Sequence, residues 1–353
     1  MSIVHVFNDQ KKFSVGYFQF LADHGFKLDD HELYHYGKRD PEFSRIGVRA
    51  NFLPSWFLPR GHLRLLRSLG RADRIIVHSL AAPLLVVWLA LRPSIAHKVT
   101  WVVWGKDLYL YALSTRRSLP LRIYEAFRKR AIANIGRVLT GFKEDFDELQ
   151  RLYRSAANNS SCTLLYPYNV QLPGGSISKR SEQPYTVLLG NSASVTNEHL
   201  EMLPKLAGVQ EQIDEVIVPL SYGSTRRYVA RVLDMGRHEL GDRFSSLTDF
   251  IAPQEYFALL GGVDIAVFNH KRQEAFNNIC TLLLGGVTVY LNDEITTARF
   301  LQRIGVAIRS CQDIADAGLR AISDAERATN ISILREELRI ERSVEKWRDI
   351  LQG

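Results

Sequence analysis

Short runs of β-branched and aliphatic residues alternate along the chain with longer segments that mix apolar and polar positions. In the first half the apolar runs fall at 3–7, 74–78, 99–103 and 138–140. In the second half they fall at 185–189, 215–220, 245–247, 265–268 and 287–291, separated by helix-patterned segments such as 197–206 and 225–236. Apolar runs without strict alternation suit strands covered on both faces, and strand–helix alternation predicts βαβ units with parallel sheets. The pattern therefore predicts an α/β protein built from two doubly wound halves.

The stretch 174–184, Gly-Gly-Ser-Ile-Ser-Lys-Arg-Ser-Glu-Gln-Pro, interrupts the pattern with small, polar and turn-forming residues. It is expected to be the linker between an N-terminal domain, 1–173, and a C-terminal domain, 185–353, whose last helix packs back on the first. A length of 353 residues fits this division, since single cores rarely grow so large. Ligands of such sheets bind beyond the carboxyl ends of the strands, so a cleft there is the expected site.

Composition narrows the possibilities. Three cysteines, Cys162, Cys280 and Cys311, stand far apart without metal-ligand spacing, which argues against a disulfide framework or structural zinc. The first residues lack the pattern of a secretory leader, so a cytoplasmic setting is expected. The longest apolar run, 80–91, contains Pro83 and is twelve residues long, short of a membrane span. The formal charge of +7 is unevenly divided: residues 1–170 carry 25 Lys+Arg against 14 Asp+Glu, and the remainder 20 against 24.

Candidate chemistry lies at the predicted strand ends. After 185–189 come Gly190, Asn191 and Ser192, with Asn197 ahead of a helix, a small-residue turn that suits a diphosphate through backbone and hydroxyl donors. A plain capped strand–helix loop is the alternative. The turn is neither a Walker A loop nor GxGxxG, which removes support for a kinase or dehydrogenase. Pro219, Tyr222 and Gly223 follow the next strand and could hold a nucleobase, or simply form a turn. Beyond 265–268, Arg272 offers a planar donor fork for phosphate, with Gln273, Asn277 and Asn278 available to sugar or ribose hydroxyls. A solvated helix start is the plainer reading.

In the first half, Asp107 follows the 99–103 strand and a Trp104-Gly105 turn, and His78 ends the 74–78 strand. His5 and Asp9 hold similar places around the first strand. Asp145-Phe146-Asp147 spells DxD but opens a helical run, where acidic groups favour the helix N-terminus. Residues 116–137 hold seven basic residues, among them Arg116, Arg117, Arg128, Lys129 and Arg130, against the single acidic Glu125. Apolar side chains are interleaved with them, as on a surface that meets anionic lipid headgroups. Trp56, within Leu53-Pro54-Ser55-Trp56-Phe57-Leu58-Pro59, is a second candidate for membrane contact. No nucleic-acid-binding module accompanies the basic segment.

Taken in order, Trp104-Gly105-Lys106-Asp107-Leu108-Tyr109, Leu189-Gly190-Asn191-Ser192 with Asn197-Glu198-His199, Val218-Pro219-Leu220-Ser221-Tyr222, and Arg272-Gln273 resemble one family. It is the TDP-N-acetylfucosamine:lipid II N-acetylfucosaminyltransferases, glycosyltransferase family 56. The similarity runs from His5 through Asn292, and the chain departs from the family's small, glycine-containing segment at Glu274-Ala275-Phe276-Asn277-Asn278. The resemblance implies a GT-B fold and metal-independent transfer, with no cofactor, of a deoxy-amino sugar from a dTDP donor to a polyprenyl-diphosphate-linked saccharide. It further implies a bacterial enzyme peripheral to the inner face of the inner membrane. Asp107, with His78 as second choice, would then activate the acceptor hydroxyl. Other readings are a GT-B transferase using UDP- or GDP-sugars, a sugar-nucleotide 2-epimerase, or a non-catalytic polysaccharide-assembly protein.

Overall fold

The computed structural model describes residues 1–7, 11–53, 61–169, 182–223 and 225–352. Trp56, Asp9 and most of the 174–184 stretch lie outside the described residues. The chain divides into two compact units, one made of Met1–Asn169 with Leu338–Gly353 and the other of Val170–Glu337. The second unit thus ends at Glu337, and the C-terminal segment belongs to the first.

The first unit contains strands β1 (Ile3–Phe7), β2 (His31–Tyr36), β3 (Arg49–Leu53), β4 (Arg74–His78), β5 (Val99–Val102), β6 (Arg137–Thr140) and β7 (Asn158–Ser161). They form one sheet in the order β3-β2-β1-β4-β5-β6-β7, parallel throughout. Every residue of β1 is buried, as the apolar run requires of a strand with helices on both faces. On one face, Leu65, Leu69, Leu85, Leu89 and Ile132 pack over Val4, Ile75, Val77 and Trp101. On the other, Tyr17, Phe18 and Leu21 pack with Phe7, Ile76 and Val102. The helix Ile340–Gln352 completes that second face through Trp347, Ile350 and Leu351. Its attachment is also polar: Ser343 Oγ donates to the Leu164 carbonyl at 2.7 Å and Trp347 Nε1 to that of Leu165 at 3.1 Å.

The second unit contains β8 (Tyr185–Leu189), β9 (Ile213–Pro219), β10 (Phe244–Leu247), β11 (Ile265–Phe268), β12 (Thr288–Leu291) and β13 (Arg309–Ser310). Their order is β10-β9-β8-β11-β12-β13, again parallel. The first strand of each unit therefore lies beside the fourth, with the chain winding outward on either side. That arrangement creates a topological switch point at β1/β4 and another at β8/β11. The helices Arg226–Leu240 and His199–Ala207 extend or shift the expected 225–236 and 197–206 segments by a few residues.

Candidate active site

At the β8/β11 switch point two loops are stitched together. The loop after β8 turns at Gly190, whose φ of 72° is left-handed, and a Cβ there would lie 2.6 Å from Asn197 Oδ1 and 2.7 Å from His199 Nε2. Only glycine fits. Asn197 is fully buried; its Oδ1 accepts from the Asn191 N–H at 2.9 Å and contacts His270 Nε2 at 3.2 Å. The Lys271 N–H donates to the Thr196 carbonyl at 3.0 Å, which ties the loop after β11 to the same turn. On the other side, the Ala193 N–H donates to the Tyr222 carbonyl at 2.7 Å, and Gly223 lies so close that a Cβ would reach Ser192 Oγ at 3.3 Å.

The predicted residues Gly190, Asn191, Ser192, Tyr222, Gly223 and Arg272 are thus brought to one edge of the sheet. Pro219 is the buried last residue of β9, three residues before Tyr222. Gln273 is half-buried beside Arg272, while Asn277 and Asn278 occupy the first turn of the helix Phe276–Leu284, with Asn278 Nδ2 3.4 Å from the Tyr256 hydroxyl.

Two expectations change. Asn197, expected among the donor-binding residues, is fully buried behind the turn and braces it through Oδ1. The turn's backbone donors are also largely committed, with Gly190 N bound to Val267 O, Asn191 N to Asn197 and Ala193 N to Tyr222. An anion placed at this turn would find few free backbone donors there.

Burial pushes the His199 imidazole down to about 4 and that of His270 to about 3, so both are neutral near pH 7. The local charge comes from Lys271, paired with Glu198 at 3.0 Å, and Arg272, paired with Glu274 at 2.7 Å. Sequence reasoning met Glu274 only as the start of the stretch that departs from the family pattern and gave it no role. It also missed Phe250, which follows β10 at the same edge and is 80% exposed; Tyr222, after β9, is 55% exposed.

The first unit is organised differently. Asp107 is buried, and its Oδ2 accepts from the Leu80 N–H and Trp101 Nε1, both at 2.7 Å. Its Oδ1 accepts from the N–H groups of Trp104 at 2.9 Å and Leu108 at 3.1 Å. Four protein donors occupy the carboxylate, so the expected acceptor-activating role is corrected to that of a structural clamp.

Arg128 is likewise fully buried instead of facing a membrane. It donates to the carbonyls of Leu80 at 2.9 Å and Asp107 at 2.7 Å and pairs with Glu125 at 3.2 Å. Between them Asp107 and Arg128 hold both backbone groups of Leu80, just after Ser79, whose φ of 70° is left-handed. A non-glycine residue in that region needs such surroundings to persist.

His78, the second choice for activating the acceptor, is also buried. Its Nδ1 lies 2.7 Å from the Tyr166 hydroxyl and its Nε2 3.3 Å from His5, which reaches His31 at 3.0 Å. Trp104 Nε1 donates to the same hydroxyl at 2.7 Å, and the Phe7 ring stacks on His78 with centroids 3.5 Å apart. Burial holds His78 and His5 well below the usual imidazole range. The DxD residues diverge: Asp145 is buried in the first turn of Lys143–Tyr153, and Asp147 pairs with Lys143 at 3.0 Å.

The helix Leu119–Asn134 keeps Lys129 and Arg130 exposed, and Arg116 and Arg117 are exposed in the segment before it. Leu119 and Ile123, at 67% and 53% exposure, stand among them.

The model of the 4-alpha-L-fucosyltransferase glycosyl transferase group 56 family matches residues 67–328, more than half of the chain. The chain belongs to glycosyltransferase group 56. Among solved structures, Anabaena Alr3699/HepE in complex with UDP and glucose is similar at a TM-score of 0.68 and 14% identity, covering 99% of this chain and 100% of that one. A glycosyltransferase from Rickettsia africae is similar at 0.61 and 13%, covering 100% and 99%. The trehalose-phosphate synthase of Burkholderia vietnamiensis follows at 0.60 and 12%, covering 99% and 98%. The group 56 chain has the GT-B fold and is a glycosyltransferase. Among the described residues, no helix is long and apolar enough to cross a membrane.

Proposed function

We propose that this enzyme transfers an N-acetylfucosamine-like deoxy-amino sugar from a dTDP-sugar to a polyprenyl-diphosphate-linked saccharide at the inner face of the bacterial inner membrane. The observation that carries the reading is the meeting of Gly190–Ser192, Tyr222–Gly223 and Arg272 at the β8/β11 switch point of a group 56 chain. Arg272 would hold the diphosphate through its guanidinium, the turns would give the nucleotide close backbone approach, and Tyr222 with Phe250 would offer ring faces to the base. Asn277 and Asn278, at the start of a helix, would meet sugar or ribose hydroxyls.

The acceptor side is supported by the first unit's basic segment. Exposed Arg116, Arg117, Arg122, Lys129 and Arg130 flank the exposed Leu119 and Ile123, a combination that suits anionic headgroups and shallow apolar insertion. The reading uses no metal ion and no cofactor beyond the nucleotide-sugar donor, and no nucleic acid.

The test is a transfer assay with purified enzyme, a polyprenyl-diphosphate saccharide and a panel of dTDP-, UDP- and GDP-sugars. Product from a dTDP-linked acetamido-dideoxy sugar is expected. Turnover confined to UDP- or GDP-sugars would overturn the donor, and sugar-nucleotide epimerisation without transfer would overturn the proposal as a whole.

A further inference from the structure

The loop after β11 presents its cations already neutralised. Lys271 and Glu198 pair at 3.0 Å in a partly exposed bridge, with side-chain exposures of 52% and 24%. The Arg272–Glu274 pair, at 2.7 Å, is far more enclosed, with 14% and 10%. Arg272 donates besides to the Gln273 carbonyl at 3.2 Å, so its fork is turned back onto its own loop. Both cations of this loop are therefore already paired when a diphosphate arrives, and Arg272 is free to meet it only if its pair opens.

Glu274 is fixed independently of Arg272. Its Oε1 accepts from the Thr196 hydroxyl at 2.5 Å, and the Thr196 hydroxyl contacts that of Ser194 at 2.8 Å, so the carboxylate is anchored to the turn following β8. The next residue, Ala275, has a left-handed φ of 58° and opens the helix Phe276–Leu284. A side-chain-bearing residue in that region is disfavoured, yet it sets Glu274 in place between the two loops.

Resting on the donor reading above, we infer that Glu274 is a built-in stand-in for the donor's diphosphate, occupying Arg272 until phosphate oxygens displace it and one proton from solvent passes to the released carboxylate. The exchange conserves the Arg272 charge. The diphosphate supplies more oxygens to the planar fork than Glu274 does, and the proton removes repulsion between Glu274 and the phosphates.

The surroundings favour this direction. Burial already raises the Glu274 carboxyl above its ordinary range, opposed by Arg272 and the Thr196 hydroxyl. The charged groups around it are Arg272 itself and the Lys271–Glu198 bridge, while His270 and His199 are neutral near pH 7.

The experiment is calorimetric titration of the full chain with dTDP, and with UDP, in two buffers of different ionisation enthalpy. The wild type should take up protons on binding, and its affinity should fall as pH rises. Glu274→Gln keeps the Thr196 contact and frees Arg272; it should bind the nucleotide about threefold to tenfold more tightly, with the proton uptake gone. Glu274→Ala should shift in the same direction, and unchanged melting temperatures would certify both variants. Equal or weaker binding by both folded variants, or proton uptake that persists in Glu274→Gln, would overturn the inference. Arg272→Ala separates it from the donor reading. If that variant loses roughly tenfold or more in affinity while Glu274→Gln gains none, the stand-in role alone fails. If Arg272→Ala binds both nucleotides as the wild type does, the donor site itself is misplaced.

Discussion

The carboxyl edges of the two sheets carry similar residue types and use them in opposite ways. At the first, Asp107 receives four hydrogen bonds and Arg128 grips two carbonyls and Glu125, all turned inward on the β4 loop. At the second, Arg272 and Lys271 each have one carboxylate partner, and the aromatics Tyr222 and Phe250 stand exposed. Position at a strand end puts a polar group near a binding crevice. Whether it can meet a ligand depends on how many protein partners it already has.

The largest effect separating the two edges should come from Asp107→Ala. Removing the carboxylate strands four donors, two of them from the backbone of buried residues, and should destabilise the first unit by about 3–5 kcal/mol. Thermal unfolding followed by near-UV circular dichroism would register it, because Trp101 and Trp104 border the site. A stable Asp107→Ala enzyme with turnover abolished would break the contrast and restore the catalytic assignment.

Arg272→Ala should act at the other edge, costing less stability than Asp107→Ala because the stranded Glu274 can take up a proton, while weakening nucleotide binding by about 1.5–3 kcal/mol, the range for a hydrogen bond to a charged group. Titration of dTDP into the folded variant checks this. A fall in melting temperature comparable to that of Asp107→Ala would mean that Arg272, too, is a structural clamp.

Replacing Arg116, Arg117 and Arg122 with glutamine should cost roughly 1 kcal/mol each in binding to anionic vesicles, with the loss shrinking as salt rises. Sedimentation with liposomes of graded phosphatidylglycerol content measures it. Arg128, buried in the same helix, should behave otherwise: its replacement should lower stability without a separate salt-dependent term. The smallest effect is expected from chelators, which should leave transfer rates unchanged; a strict requirement for Mg²⁺ would direct attention back to Asp145 and Asp147.

Much of the architecture was legible in the chain because buried parallel strands are nearly continuous apolar runs. Ile3–Phe7, Arg74–His78, Tyr185–Leu189 and Ile265–Phe268 are strands with the bounds their patterning predicts. The strands that escaped notice break that pattern. His31–Tyr36 carries two histidines and a glutamate, and Asn158–Ser161 is a polar, largely exposed edge strand whose register comes from pairing with β6. At the candidate site, the glycine turn and Arg272 could be found from residue type and position. Asn197, Asp107, His78 and Arg128 could not be assigned correctly, because their roles depend on partners distant in sequence: His270 for Asn197, Leu80 for Asp107 and Arg128, Tyr166 for His78.

Hydrogen exchange at backbone amides, followed by mass spectrometry with and without the accepted nucleotide, tests the difference between the two edges most directly. Binding at the β8/β11 switch point should slow exchange in segments 189–197, 220–223 and 269–278. The Asp107 clamp at 101–108 should exchange slowly in both samples and change little. Protection confined to 76–82 and 101–108, with the loops after β8 and β11 unaffected, would contradict the account and move the nucleotide to the first sheet.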